Sequence, residues 1–154
     1  QHAIKVGEVR QVICGTPDYF ARYGRPQHPN ELSRANIVMS SASHLLSDWQ
    51  FAHADGPLSF RFEPRLVVTA NQAAINIASS GWGITRVLSY QVASQVAAGE
   101  LELVLEAFEP PALPVQLVYL KHPRVPAKVR TFVDFLSERL QHHPALKAVN
   151  RVHG

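Results

Sequence analysis

A chain of 154 residues suits one ordinary domain or two small lobes. Its 46% hydrophobic and 18% charged residues argue against general disorder. A net charge of +3 with scattered arginines (Arg10, Arg22, Arg34, Arg61, Arg86, Arg124, Arg130) argues against a built nucleic-acid surface, which needs a clustered basic stripe.

The single cysteine, Cys14, excludes an intramolecular disulfide and agrees with a reducing cytoplasm. No apolar run has the length of a bilayer span. The opening Gln1-His2-Ala3-Ile4-Lys5 has no signal-peptide architecture, and a start without Met is what a cut inside a longer protein leaves.

In chain order, residues 9–14 are expected to form a strand, followed by a turn at Gly15-Thr16-Pro17-Asp18. Residues 19–23 suit a short helix ended by Gly24, and residues 25–30, with two prolines, a linker. Pro29 or Asn30 opens a second short helix. Ile37-Val38-Met39 reads as a strand leading into the polar Ser40-Ser41-Ala42-Ser43-His44. Residues 49–51 and 58–63 flank Asp55-Gly56-Pro57, and the second segment alternates apolar with polar, which predicts a hairpin with one buried face. Leu66-Val67-Val68 reads as a buried strand.

Thr69 or Asn71 is placed to cap a helix over 72–80, with Gly81 suited to its end. Residues 84–87 return as a strand. Leu88, Val92 and Val96 then recur every four residues, predicting a helix stopped by Gly99. Leu101, Leu103 and Leu105 alternate with Glu102 and Glu106 as an amphipathic strand. Pro110, Pro111 and Pro114 stiffen a loop before a last strand over 115–120. Pro126 fits the first turn of a final helix whose Val129, Phe132, Val133, Leu136 and Leu140 form one apolar stripe. Residues 142–154 have little pattern and read as a tail. The alternation of strands and helices predicts an α/β fold with a largely parallel sheet.

The motifs of catalysis and cofactor binding are missing. Eight histidines include no His-Glu-x-x-His, and one cysteine forms no Cys-x-x-Cys. Ser79-Ser80-Gly81-Trp82-Gly83 closes a helix where a nucleophile elbow must open one, and Gly81-x-Gly83 lacks the third glycine of a dinucleotide loop. No metal, no cofactor and no enzymatic role is expected. A binding protein remains. Ligands of open α/β sheets sit beyond the carboxyl ends of strands. Three such ends are polar: Gly15-Thr16, the loop Ser41, Ala42, Ser43 and His44, and the turn Thr69, Ala70 and Asn71. The third adds the backbone N–H groups of a helix N-terminus, which favour an anion.

The order of segments from about Gly7 to Leu140 resembles the effector-binding domain of LysR-type transcriptional regulators. The resemblance is carried by Gly7-Glu8-Val9-Arg10-Gln11-Val12 running into Thr16-Pro17-Asp18-Tyr19-Phe20-Ala21-Arg22-Tyr23-Gly24, by His28-Pro29-Asn30-Glu31-Leu32 and by Trp49-Gln50-Phe51. It continues through Ala70-Asn71, Ala78-Ser79-Ser80-Gly81-Trp82-Gly83-Ile84, Ala98-Gly99-Glu100-Leu101 and Val129-Arg130-Thr131-Phe132-Val133-Asp134-Phe135-Leu136.

It implies a fold like the type 2 periplasmic binding proteins, with two α/β lobes joined by two crossover strands. Residues 1–30 would then be part of the first lobe, residues 31–121 a complete second lobe, residues 122–141 a helix returning to the first lobe, and residues 142–154 a tail. The rest of the first lobe and a winged helix-turn-helix head are expected outside this chain, leaving the stripe of the last helix without its packing partner. The family logic implies a small effector, often an organic anion, bound between lobes by Thr16 and by residues 41–44 and 69–71. The implied partners are copies of the same protein, as a dimer or tetramer, with the 72–80 helix as the pairing surface, and promoter DNA through the absent head. The rival of the same architecture is an extracytoplasmic solute-binding protein.

Overall fold

The computed structural model describes residues 2–42, 48–119 and 126–147. The chain divides into two compact units: residues 1–10 with 112–154, and residues 11–111.

The first unit is built on two long antiparallel strands, β1 (His2–Val9) and β9 (Leu113–Tyr119), with a register irregularity between Lys5 and Gly7. The last helix, α4 (Ala127–Gln141), lies against β1, and Gln141 Nε2 donates to the Lys5 carbonyl at 3.2 Å. Val6, Val9 and Val133 are buried. Residues 142–147 are more ordered than a patternless tail. His143 caps a 3-10 turn at Pro144–Leu146, and this turn sits so close over Gly7 that a Cβ there would strike the Leu146 carbonyl.

The second unit contains β2 (Gln11–Gly15), β3 (Val38–Ser40), β4 (Asp48–His53), β5 (Gly56–Arg61), β6 (Leu66–Val68), β7 (Thr85–Leu88) and β8 (Glu102–Val104). Strands β3 and β6 pair in parallel, a parallel bridge joins Ile37 to Ile84, and β7 and β8 flank β2 antiparallel. Tracing those pairings gives the order β6-β3-β7-β2-β8. Four strands run one way and β2 runs against them. The expected largely parallel sheet is thus present in strand direction, with an inverted strand inserted near its middle.

Strand β2 is covered on both faces, which explains its unbroken apolar run. Val12 and Cys14 join Ile75, Val87, Val92 and Leu101 in one core. Ile13 joins Tyr19, Phe20, Leu32, Ile37, Met39, Trp49, Phe51, Phe62 and Ile84 in the other. The predicted hairpin forms as β4 and β5, with Trp49 opposite Phe60 and Phe51 opposite Leu58.

Several local expectations need correction. Residues 9–14 are not one strand, because the chain breaks at Arg10 between β1 and β2. Strand β6 is not buried: Leu66 and Val67 are 37% and 51% exposed, since β6 is the sheet's outer strand. The four-residue repeat of Leu88, Val92 and Val96 does not make one helix. Leu88 ends β7, a 3-10 turn covers Ser89–Gln91, and α3 is only Ala93–Ala97. Leu101, Leu103 and Leu105 do not share one face of an amphipathic strand. Leu103 and Val104 of β8 face different cores, and Leu105 takes a left-handed conformation at φ 58°. The stripe of α4 is only partly used: Val133 is buried and Leu136 and Leu140 are half-buried, while Val129 and Phe132 are 44% and 61% exposed.

Candidate functional site at the strand tips

The register fixes which tips share an end of the second unit's sheet. Ser40 pairs with Val68, the Ile37–Ile84 bridge brings Val87 level with Ser40, and Val87 pairs with Val12. One residue further along lie Ser41, Thr69, Leu88 and Gln11. The tips of β3 and β6 are bonded directly, with Ser41 N donating to the Val68 carbonyl at 2.7 Å. Ser40 is buried, and its Oγ accepts from Ala42 N at 3.2 Å, which holds the turn after β3. Ser41, Ala42, Thr69 and Ala70 are exposed, and Asn71 is half-buried.

Helix α2 (Asn71–Ser79) opens at this end. The expected side-chain cap is absent. Ala70 is the N-cap residue, with φ −135° and ψ 143°, and neither Thr69 nor Asn71 caps the helix. The first backbone bond of the helix is Ala74 N to the Ala70 carbonyl at 3.2 Å. The N–H groups of Asn71, Gln72 and Ala73 therefore have no partner within the helix, and no acidic side chain stands in the first turn. Packing explains why the helix forms there without a cap: Ala74, Ile75 and Ala78 bury one face against the sheet. Uncapped N–H groups at a positive dipole end can hold an acceptor, best an anion.

Thr16 does not join this group. Because β2 runs against its neighbours, its carboxyl end lies where β3 and β7 begin. Gly15 is four residues beyond Gln11, and at about 3.3 Å per residue Thr16 stands roughly 16 Å along the strand direction from the Ser41 level. Thr16 has a defined local role: its Oγ1 accepts from Tyr19 N at 3.1 Å and caps α1 (Pro17–Tyr23). Ser43 and His44 lie outside the described residues. Gln11 and Ser40 belong to the same end and escaped sequence reasoning, since only the strand order reveals them.

Among the described residues of the unit, the groups whose titration burial shifts lie in the core and against the hairpin. Burial pushes the Cys14 thiol up to about 12, so it is an inert core group. Arg86 passes between Trp49 and Phe51 at 5.6 and 5.0 Å and donates to the Gln50 carbonyl at 2.6 Å. Burial lowers it to about 10, against the opposing pull of Glu109. No group of three metal-ligating side chains occurs among the described residues. Nor is any helix among them long and apolar enough to cross a membrane.

Comparison with known proteins returns the same architecture. The family model described as the LysR substrate binding domain matches residues 2–141. The HTH-type transcriptional regulator DmlR of Escherichia coli strain K12 is 28% identical over 142 residues, 92% of this chain and 46% of that protein. The regulatory domain of CrgA, a LysR-type transcriptional regulator from Neisseria meningitidis, is 26% identical with a TM-score of 0.76, covering 90% of this chain and 68% of that one. Full-length AphB, the Vibrio cholerae virulence activator, is 24% identical with a TM-score of 0.79, covering 90% and 47%. The chain thus spans under half the length of full-length proteins like it.

Proposed function

This chain belongs to the LysR substrate-binding domain family, and we propose on that footing that it is the ligand-sensing part of a bacterial transcriptional regulator. Its site is the tip cluster of Ser41, Ala42, Thr69, Ala70 and Asn71, and its ligand is a small organic anion. The single observation that supports the choice of site and charge is the uncapped start of α2 beside the exposed Ser41 turn. Ser43 and His44 continue that turn and are proposed to complete it. The sequence suggested residues 31–121 for the second lobe; the compact unit of residues 11–111 supports moving its bounds to that unit, with the β1, β9 and α4 unit as part of the first lobe.

The role is binding without turnover. A ligand with different affinity for two conformations shifts their populations by that difference and no more. In the complete regulator this shift would alter a homo-oligomer and the DNA-binding heads it carries, in the cytoplasm. The relatives named above are regulators, which leaves the extracytoplasmic solute-binding alternative unfavoured.

The test begins with a thermal-shift screen of small carboxylates on the full-length protein. Calorimetry then compares variants. Asn71→Pro deletes one N–H at the first helical position, where proline is tolerated, and Ala70 already has the extended conformation that precedes proline. We expect about tenfold weaker binding in Asn71→Pro, from one lost charge-assisted hydrogen bond of about 1.5 kcal/mol. Smaller losses are expected in Thr69→Ala and Ser41→Ala. Unchanged affinity in all three variants removes this cluster from the site.

A further inference from the structure

The second unit holds a cavity of about 230 Å³ that the strand-tip site does not use. It lies at the opposite end of the sheet, between α1 and the 3-10 turn Pro29–Arg34. Tyr19, Phe20, Leu32 and Ile84 form its buried wall, and Tyr23, Arg25 and Arg34 its accessible rim. By liquid volume it has room for roughly seven or eight waters, or for one single-ring molecule.

Its polar groups are mostly donors. Tyr19 is 5% exposed, and its hydroxyl oxygen accepts from Asn36 N at 3.1 Å. A phenol also carries one donor hydrogen, and among the described residues the hydroxyl's hydrogen bond is the one it accepts from Asn36. A buried donor left unpaired costs about as much as a lost hydrogen bond, so an acceptor entering the cavity is favoured.

The carboxylates nearby are already engaged. Glu31 accepts from the backbone N–H groups of Gln27 and His28, which hold it below the usual carboxylate range. Glu102 is paired with Arg25, whose guanidinium also lies 5.3 Å over the Phe20 ring. The Arg34 side chain makes no hydrogen bond or ion pair among the described residues, and its charge acts on the engaged Glu31. The aromatic wall includes Tyr19 and Tyr23, tilted with centroids 4.9 Å apart.

We propose that this cavity is a second ligand site, separate from the strand tips, which takes a single-ring aromatic carboxylate. The ring stacks among Tyr19, Tyr23 and Phe20, and the carboxylate accepts from Arg34 and the Tyr19 hydroxyl. The proposal does not depend on the assignment of the strand-tip site.

The test uses benzoate as the probe and amide and arginine side-chain NMR shifts of the 15N-labelled protein as the readout. Saturable shifts are expected in Tyr19, Tyr23, Arg25, Arg34 and Ala35. Arg34→Gln should weaken that binding about tenfold. Arg34 is exposed, so this variant keeps the fold, which an unchanged melting midpoint will verify. Tyr19→Phe keeps the ring and should weaken binding about fivefold. The idea is overturned if no shifts arise up to about 10 mM, ten times the Kd of a millimolar ligand. It is equally overturned if shifts are confined to residues 40–42 and 68–72, or if Arg34→Gln titrates like the parent.

Discussion

Among the described glycines, Gly83 is the position where one added methyl group would meet its neighbours most closely. Ile84 N donates to the Asn36 carbonyl at 2.8 Å, and Val38 N donates to the Ile84 carbonyl at 3.0 Å. These bonds tie the beginnings of β3 and β7 together. A Cβ on Gly83 would collide with the Asn36 carbonyl oxygen and stand 2.9 Å from the Asn36 Cβ and 3.0 Å from its carbonyl carbon. Ordinary carbon contacts are about 3.5–4.0 Å, so backbone must move by roughly 0.6–1 Å. At the upper end of that shift both ladder bonds pass out of range, at about 1 kcal/mol each. Overpacking adds about 1–3 kcal/mol. We expect Gly83→Ala to cost about 3–5 kcal/mol in urea denaturation followed by circular dichroism, with the slope unchanged. Gly99→Ala is the comparison. Nothing lies within 4 Å of its Cβ, but its φ of +75° costs about 1–2 kcal/mol in any L-residue. A Gly83→Ala cost below about 1 kcal/mol, or below that of Gly99→Ala, refutes the argument that close approach of the two strands fixes this residue as glycine.

Three further outcomes are expected. The Cys14 thiol titrates near 9.0 when unfolded and about 12 when folded. The folded state therefore holds its proton longer, and stability falls as pH rises from 9 to 12, by at most about 1.4 kcal/mol per unit. Cys14→Ala should remove that slope, and an identical alkaline slope in the variant would show the thiol is not its source. Arg86→Met should cost about 2–3 kcal/mol, from the lost charged hydrogen bond to Gln50 and the stacking on two rings. The buried Trp49 should then red-shift in fluorescence, whereas an unshifted spectrum would mean that other contacts hold the hairpin. On α4, Val133→Ala should cost about 1–2 kcal/mol and Phe132→Ser under about 0.5 kcal/mol, because only Val133 is buried. Equal costs on thermal melting would contradict that division of the helix.

Features set by neighbours in sequence were legible. The β4–β5 hairpin follows from alternation around a Gly-Pro turn, and Gly81 and Gly99 end their helices at positive φ of 88° and 75° as their positions suggested. Features set by distant neighbours were not. Leu66-Val67-Val68 has the composition of a buried strand, yet its place at the outer edge exposes it, and no local pattern carries that fact. The cap of α2 fell on Ala70, between the two residues chemically suited to cap, because burial of Ala74, Ile75 and Ala78 fixes the start of the helix. The order of segments carried the family likeness, since it survives when individual boundaries shift by a residue or two.

The inserted strand decides which residues the candidate site gathers. Had β2 run with its neighbours, Gly15-Thr16 would stand beside Ser41 and Thr69, and three polar turns would surround one ligand. Its antiparallel course instead brings its first residue, Gln11, to that end. It also commits Thr16 to capping α1 at the other. Thr16 thus becomes a discriminating control. Thr16→Ala should cost about 1 kcal/mol of stability through the lost cap, while leaving effector affinity unchanged. Gln11→Ala should reduce that affinity with little effect on stability. Calorimetry with the reverse assignment, Thr16 mattering for ligand and Gln11 not, would mean the direction of β2 has been misread and the tip cluster wrongly composed.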